Sequence, residues 1–111
     1  MSKNVNLSYI SYKVFENTSI KELIIPPSVE RIDQYAFHDC KDLKKVDFSL
    51  NNNLKIISKG TFSGCGIESI SIPSNIECIE EDSFSFCYKL KTVNIPIDSR
   101  LQRIETDAFE S

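Results

Sequence analysis

The sequence predicts a solenoid, in which short extended segments stack at a fixed period and one wall becomes a parallel sheet. Three observations carry that prediction. Five phenylalanines, Phe15, Phe37, Phe62, Phe84 and Phe109, stand 22, 25, 22 and 25 residues apart. A shift of 47 residues lays positions 15–64 on 62–111 with 14 of the 50 pairs identical. The aliphatic residues between the phenylalanines also recur in columns. A unit of this length cannot bury its own apolar face, so it must stack on copies of itself.

Each unit opens on two aliphatics: Leu7/Ile10, Val29/Ile32, Leu54/Ile57, Ile76/Ile79 and Leu101/Ile104. The second always lies five residues before its Phe. These stretches, such as VERI and IECI, read as short extended segments on the wall opposite the sheet. Ala36, Thr61, Ser83 or Ala108 then precedes the Phe, and the following residues turn a corner, which the spacing assigns to one helical turn. Three aliphatic or aromatic residues come next, in the order Ile20/Leu23/Ile25, Leu43/Val46/Phe48, Ile67/Ile70/Ile72 and Leu90/Val93/Ile95. Their β-branched alternation suits a strand with one face inward. Pro26, Pro73 and Pro96 close three of these strands, because proline fixes φ and removes a ladder donor. Short units lose one residue before the triplet and two after it.

Composition excludes several functions. The 111 residues carry a net charge of −3, so there is no basic footprint for nucleic acid. No apolar run approaches the ~18 residues of a membrane span. The opening MSKNVNLSYI lacks the apolar core of a secretory leader, which favours an intracellular location. Cys40, Cys65, Cys78 and Cys87 form no C-x-x-C pair and are read as reduced thiols.

The runs IDQYAFHDCKDLKKVDF, IEEDSFSFCYKLKTVNIP and IETDAF resemble the BspA-like, or Treponema-type, leucine-rich repeat, with a match over residues 7–109. Thr18 stands where that pattern has Cys40, Cys65 and Cys87, and Ser49 replaces a strand-ending proline. The resemblance implies one domain, residues 1–111, of about four repeats. Its fold would be a leucine-rich-repeat solenoid of the α/β repeat class, rich in strand, right-handed and curved. The parallel sheet would line the concave wall, with short extended segments and single helical turns on the other. It implies a non-enzymatic protein-interaction module without cofactors, and a role in adhesion at a cell surface. An intracellular scaffold is the alternative.

The candidate sites follow from the columns. Cys40, Cys65 and Cys87 each lie three residues after the frame Phe, and the reading is a ladder of small buried thiols rather than a metal site. Cys78 shares a column with Tyr9, Arg31, Ile56 and Arg103, which predicts an outward thiol. Stacking should bring Glu80 near Glu105 and Asp82 near Asp107 as a solvated charged edge. His38 shares its column with Glu16, Ser63, Ser85 and Glu110, which predicts a surface position; a lone His supplies no catalytic set. The partner-binding candidates are the outward strand positions: Lys21, Glu22 and Ile24; Lys44, Lys45 and Asp47; Glu68, Ser69 and Ser71; Lys91, Thr92 and Asn94. These vary from copy to copy while the inward columns do not. The expected partner is a protein, with no nucleic acid and no membrane insertion. Leu101, Ile104 and Phe109 form a half-covered rung, which predicts end-to-end self-association or neighbouring repeats in a longer chain. Ser2, Lys3, Asn4 and Asn6 read as a polar lead-in.

Overall fold

The computed structural model describes residues 8–110, which leaves Leu7 and the polar lead-in outside the described residues. Among the described residues the chain winds into four rungs that each carry two short strands, and a ninth strand opens a fifth. On one wall lie β1 (Tyr9–Ile10), β3 (Arg31–Ile32), β5 (Ile56–Ile57), β7 (Cys78–Ile79) and β9 (Arg103–Ile104). On the other lie β2 (Glu22–Ile24), β4 (Lys45–Asp47), β6 (Ser69–Ser71) and β8 (Thr92–Asn94). Every pairing is parallel and in register, for example Leu23 with Val46 and Ile70 with Val93. The triplets therefore form strands where their alternation predicts, and their middle residues point inward.

The strands do not form continuous sheets. Pairing runs β1–β3, β2–β4, β5–β7–β9 and β6–β8, and no ladder joins β3 to β5 or β4 to β6. Clefts open at both places: about 370 Å³ beside Ile32 and Ile56, and about 500 Å³ between Lys45–Ser49 and Ser69–Pro73. The solenoid is thus seamed between its second and third rungs.

The corners correct the expected helical turn: no helix is present among the described residues. The first four corners each contain two left-handed residues four positions apart, and the fifth shows the first of the two. The first is Lys13, Tyr35, Gly60, Asp82 or Asp107, and the second is Asn17, Asp39, Gly64 or Phe86. A left-handed residue ends any right-handed helical run. Alternate corner amides are freed to reach the next rung. Phe15 N–H donates to Ala36 O at 2.9 Å, Phe37 N–H to Thr61 O at 3.0 Å, and Phe62 N–H to Ser83 O at 2.8 Å. Phe84 N–H completes the row by donating to Ala108 O at 2.7 Å. Corners are therefore a third parallel wall, and this one has no seam.

Behind that wall the frame phenylalanines stack. Successive ring centroids lie 5.2, 5.6, 5.5 and 5.2 Å apart, with planes within 19° of parallel. The spacing follows the ~4.8 Å step between neighbouring strands. Phe37, Phe62 and Phe84 are buried among the inward aliphatics, while Phe15, in the first rung, is exposed.

Candidate functional site

The twelve outward positions gather on one wall. Lys21, Glu22, Ile24, Lys44, Lys45, Glu68, Ser69, Ser71, Lys91, Thr92 and Asn94 are exposed, and Asp47 is half-buried. Register sets Glu22 beside Lys45, Ile24 beside Asp47, Ser69 beside Thr92 and Ser71 beside Asn94. Asn94 Nδ2 donates to Ser71 Oγ at 3.4 Å, and Asp47 Oδ1 accepts from the Ser49 amide at 2.8 Å. Hydrogen bonding with the Ser49 side chain, and then with this amide, holds the Asp47 carboxyl below its ordinary value. The seam divides this face. One half carries Lys21, Glu22, Lys44, Lys45 and Asp47; the other carries Ser69, Ser71, Thr92 and Asn94 on its strands, with Glu68 and Lys91 preceding them.

The thiol ladder has a structural role. Cys40 Sγ donates to Phe15 O at 3.1 Å, Cys65 Sγ to Phe37 O at 3.2 Å and Cys87 Sγ to Phe62 O at 3.1 Å. Each thiol thus bonds the carbonyl of the preceding frame Phe. Thr18, the exception in this column, bonds its own turn instead: its Oγ1 donates to Phe15 O at 2.9 Å. Burial pushes the Cys87 thiol up to about 11. Cys65 is also held above the ordinary thiol range, first by its hydrogen bond with Cys40 and then by burial. Cys40 is shifted the opposite way, down to about 6, by its hydrogen bond with Cys65 and those with Thr18. The neutral thiols of Cys65 and Cys87 are poor nucleophiles and poor metal ligands.

Two sequence expectations need correction. Cys78 is not an outward thiol; it is only 3% exposed. Its register partners are Ile56 and Arg103, and these longer side chains close over the short one. Arg103 donates to Cys78 Sγ at 3.5 Å, while burial raises the thiol pKa. The His38 column is not a surface column throughout: Ser63 and Ser85 are buried, with their hydroxyls 3.1 Å apart. A hydroxyl is small enough to enter where Glu16 and His38 remain at the rim. There His38 Nδ1 lies 2.8 Å from Glu16 Oε2.

Glu80 and Glu105 come together as stacking requires. With Cys78 they place three ligand-type atoms within 4.8 Å of one another. Arg103 already serves that group, since its Nε sits 3.5 Å from Glu105 Oε2 while the same guanidinium reaches Cys78. The guanidinium supplies the positive charge that a metal ion would bring.

Sequence reasoning missed a second surface on the corner wall. Phe86 and Tyr88 project there, 51% and 75% exposed, with ring centroids 6.1 Å apart. The available signal was an aromatic in a column otherwise filled by Asn17, Asp39 and Gly64.

With three parallel walls, a phenylalanine stack and a thiol ladder in place, the family can be stated. The model of the BspA type leucine rich repeat region matches residues 8–111 in six copies. The chain belongs to that family. Among solved structures it is similar to a leucine rich cell surface protein from Faecalibacterium prausnitzii, at a TM-score of 0.78 and 26% identity. The match covers 89% of this chain and 29% of that one. It is similar also to the pneumococcal vaccine antigen PcpA, at a TM-score of 0.77 and 27% identity, covering 88% of this chain and 26% of that one. A leucine-rich repeat protein from Eubacterium ventriosum shares the fold, at a TM-score of 0.70 and 23% identity over 86% of this chain and 32% of that one. This BspA-type chain thus spans under a third of the length of these three. No curated protein matches it. Among the described residues, no helix is long and apolar enough to cross a membrane.

Proposed function

We propose that the chain is a non-enzymatic protein-interaction module whose partner lies across the outward face of β2, β4, β6 and β8. The observation that carries this reading is the contrast between columns. Leu23, Val46, Ile70 and Val93 keep one chemistry from rung to rung, while the residues flanking them run Glu22/Ile24, Lys45/Asp47, Ser69/Ser71 and Thr92/Asn94. Stacking constrains the inward set and leaves the outward set free for recognition. Similarity to a cell surface protein and a vaccine antigen supports adhesion as the setting. The four free thiols favour the second reading, a scaffold in a reducing compartment.

The test is affinity capture from extracellular-matrix and lysate fractions, with wild-type chain and with a Lys45→Glu, Asn94→Lys double variant. A captured protein that the folded double variant loses supports the module. Capture indifferent to both changes would reject the outward face.

A further inference from the structure

The corner wall holds a strained aromatic that the fold does not require. The second left-handed position of successive corners is Asn17, Asp39, Gly64 and Phe86, with φ values of 59°, 59°, 76° and 59°. Glycine, asparagine and aspartate occupy that region at little cost, whereas a bulky aromatic there is an outlier. Burial does not explain Phe86, because half of its surface faces solvent and its ring partner, Tyr88, is more exposed still. Tyr35, the other aromatic in this region at φ 57°, is half-buried against Tyr12, His38 and Gly60, whereas Phe86 lacks such cover. Strain without cover marks a side chain held for use.

The neighbouring rungs give that use a shape. Gly64 and Gly66 stand on the third rung where Phe86 and Tyr88 stand on the fourth, and Asp39 and Lys41 stand there on the second. The wall is therefore notched by one rung. Two strand steps of ~4.8 Å set the flanking rungs about 9–10 Å apart, room for one ring between them. The notch opens into a cleft of about 460 Å³, floored by glycine backbone. A Cβ on Gly64 would collide with the Asp39 carboxylate, and one on Gly66 with the Lys41 carbonyl, so neither position admits a side chain. Lys41 and Lys89 also line the cleft, and among the described residues neither ammonium has an ion-pair partner.

We propose that this notch binds one carboxylate-bearing pyranose ring of an acidic polysaccharide. The aromatic pair takes the C–H face of the sugar, as aromatic rings take flat apolar surface. Asp39 accepts from ring hydroxyls, while Lys41 and Lys89 meet the carboxylate. A hydrocarbon side chain of a peptide would leave Lys41 and Lys89 without partners, while Asp39 has only His38 Nε2, at 3.8 Å.

Binding is read by amide chemical shifts on the full chain at physiological salt. The probe is a tetrasaccharide of alternating glucuronic acid and N-acetylglucosamine; the neutral comparator is a chitin tetrasaccharide. Saturable shifts at Gly64, Gly66, Phe86 and Tyr88 are expected, with the neutral sugar about tenfold weaker or more. Phe86→Asn separates fold from site. It should raise the melting temperature by about 4–8 °C, because asparagine accepts the left-handed turn, and weaken the probe at least about tenfold. Tyr88→Ala, at a more exposed position, should weaken the probe with the fold unchanged. Lys89→Gln should bring the acidic sugar down to the neutral one, whereas Lys91→Gln on the strand wall should do nothing. Absence of saturable shifts at about millimolar sugar would overturn the proposal. So would equal response to the neutral sugar, shifts centred on the strand wall, or retained binding in folded Phe86→Asn.

Discussion

The corner wall and the strand walls solve the same stacking problem with different completeness. On the corner wall each rung donates to the next without interruption, and each frame ring covers its neighbour. On the strand walls the ladders stop between the second rung and the third. There the rungs meet through the corner, the Phe37–Phe62 stack and a few side-chain bonds. Among these, Ser58 Oγ donates to Ile32 O at 2.6 Å, and Cys65 Sγ to Phe37 O at 3.2 Å. The corner is the spine of this solenoid, and the strands are its faces.

That ordering can be broken or sharpened. The largest effect should come from Phe62→Ala, which empties the middle of the stack; denaturant unfolding should show a loss of about 3–5 kcal/mol. Alkaline pH should come next. The Cys87 thiol sits near 11 in the folded chain against an ordinary 9.0. Its contribution is therefore intact below pH 9, and is lost as pH rises from 9 to 11 because the unfolded chain releases its proton first. The expected fall is at most about 2–3 kcal/mol, absent in Cys87→Ala, and is read from midpoints across that window.

Smaller differences test the faces. The Ile25 and Ile72 amides donate across β2–β4 and β6–β8 at 2.9 Å each, whereas the matching Phe48 amide has no such partner among the described residues. Hydrogen exchange at Phe48 should run about tenfold faster than at the other two. Arg103→Ala should uncover Cys78 and speed its labelling by a thiol reagent a few-fold, leaving Cys65 protected. Asn94→Ala, on the outward face, should stay within about ±0.5 kcal/mol. A shift as large as that of Phe62→Ala would reverse the assignment of inward and outward columns.

The frame, the strands and the inward columns were legible because burial on a two-residue alternation leaves a strict apolar trace. Leu23, Val46, Ile70 and Val93 could be placed from spacing alone. The corners were not, since Lys13, Tyr35 and Phe86 carry no left-handed signature in their side chains. Cys78 was misplaced for a different reason: its burial depends on the lengths of Ile56 and Arg103 beside it, which a column read one residue at a time does not register. Asn51 left no trace either. Its counterpart one double repeat on is the exposed Asp98, yet its own buried amide donates to Pro26 O at 2.9 Å and Val29 O at 2.7 Å, and its Oδ1 accepts from the Leu54 amide. The Phe86 notch was written in the sequence as two glycines and two aromatics, but only the stacking of rungs sets them side by side.

The seam also has a mechanical meaning. A solenoid pulled from its two ends is loaded across its ladders, which then open bond by bond like a zipper. The ladders β1–β3 and β2–β4 tie the first two rungs together, and β5–β7–β9 and β6–β8 tie the rest. Under tension the chain should part first into two folded blocks, residues 8–55 and 56–110, joined by the turn between β4 and β5. Only at higher force would either block unravel. In a longer array, such a joint would let the rod lengthen by a step under load while its binding surfaces stay folded.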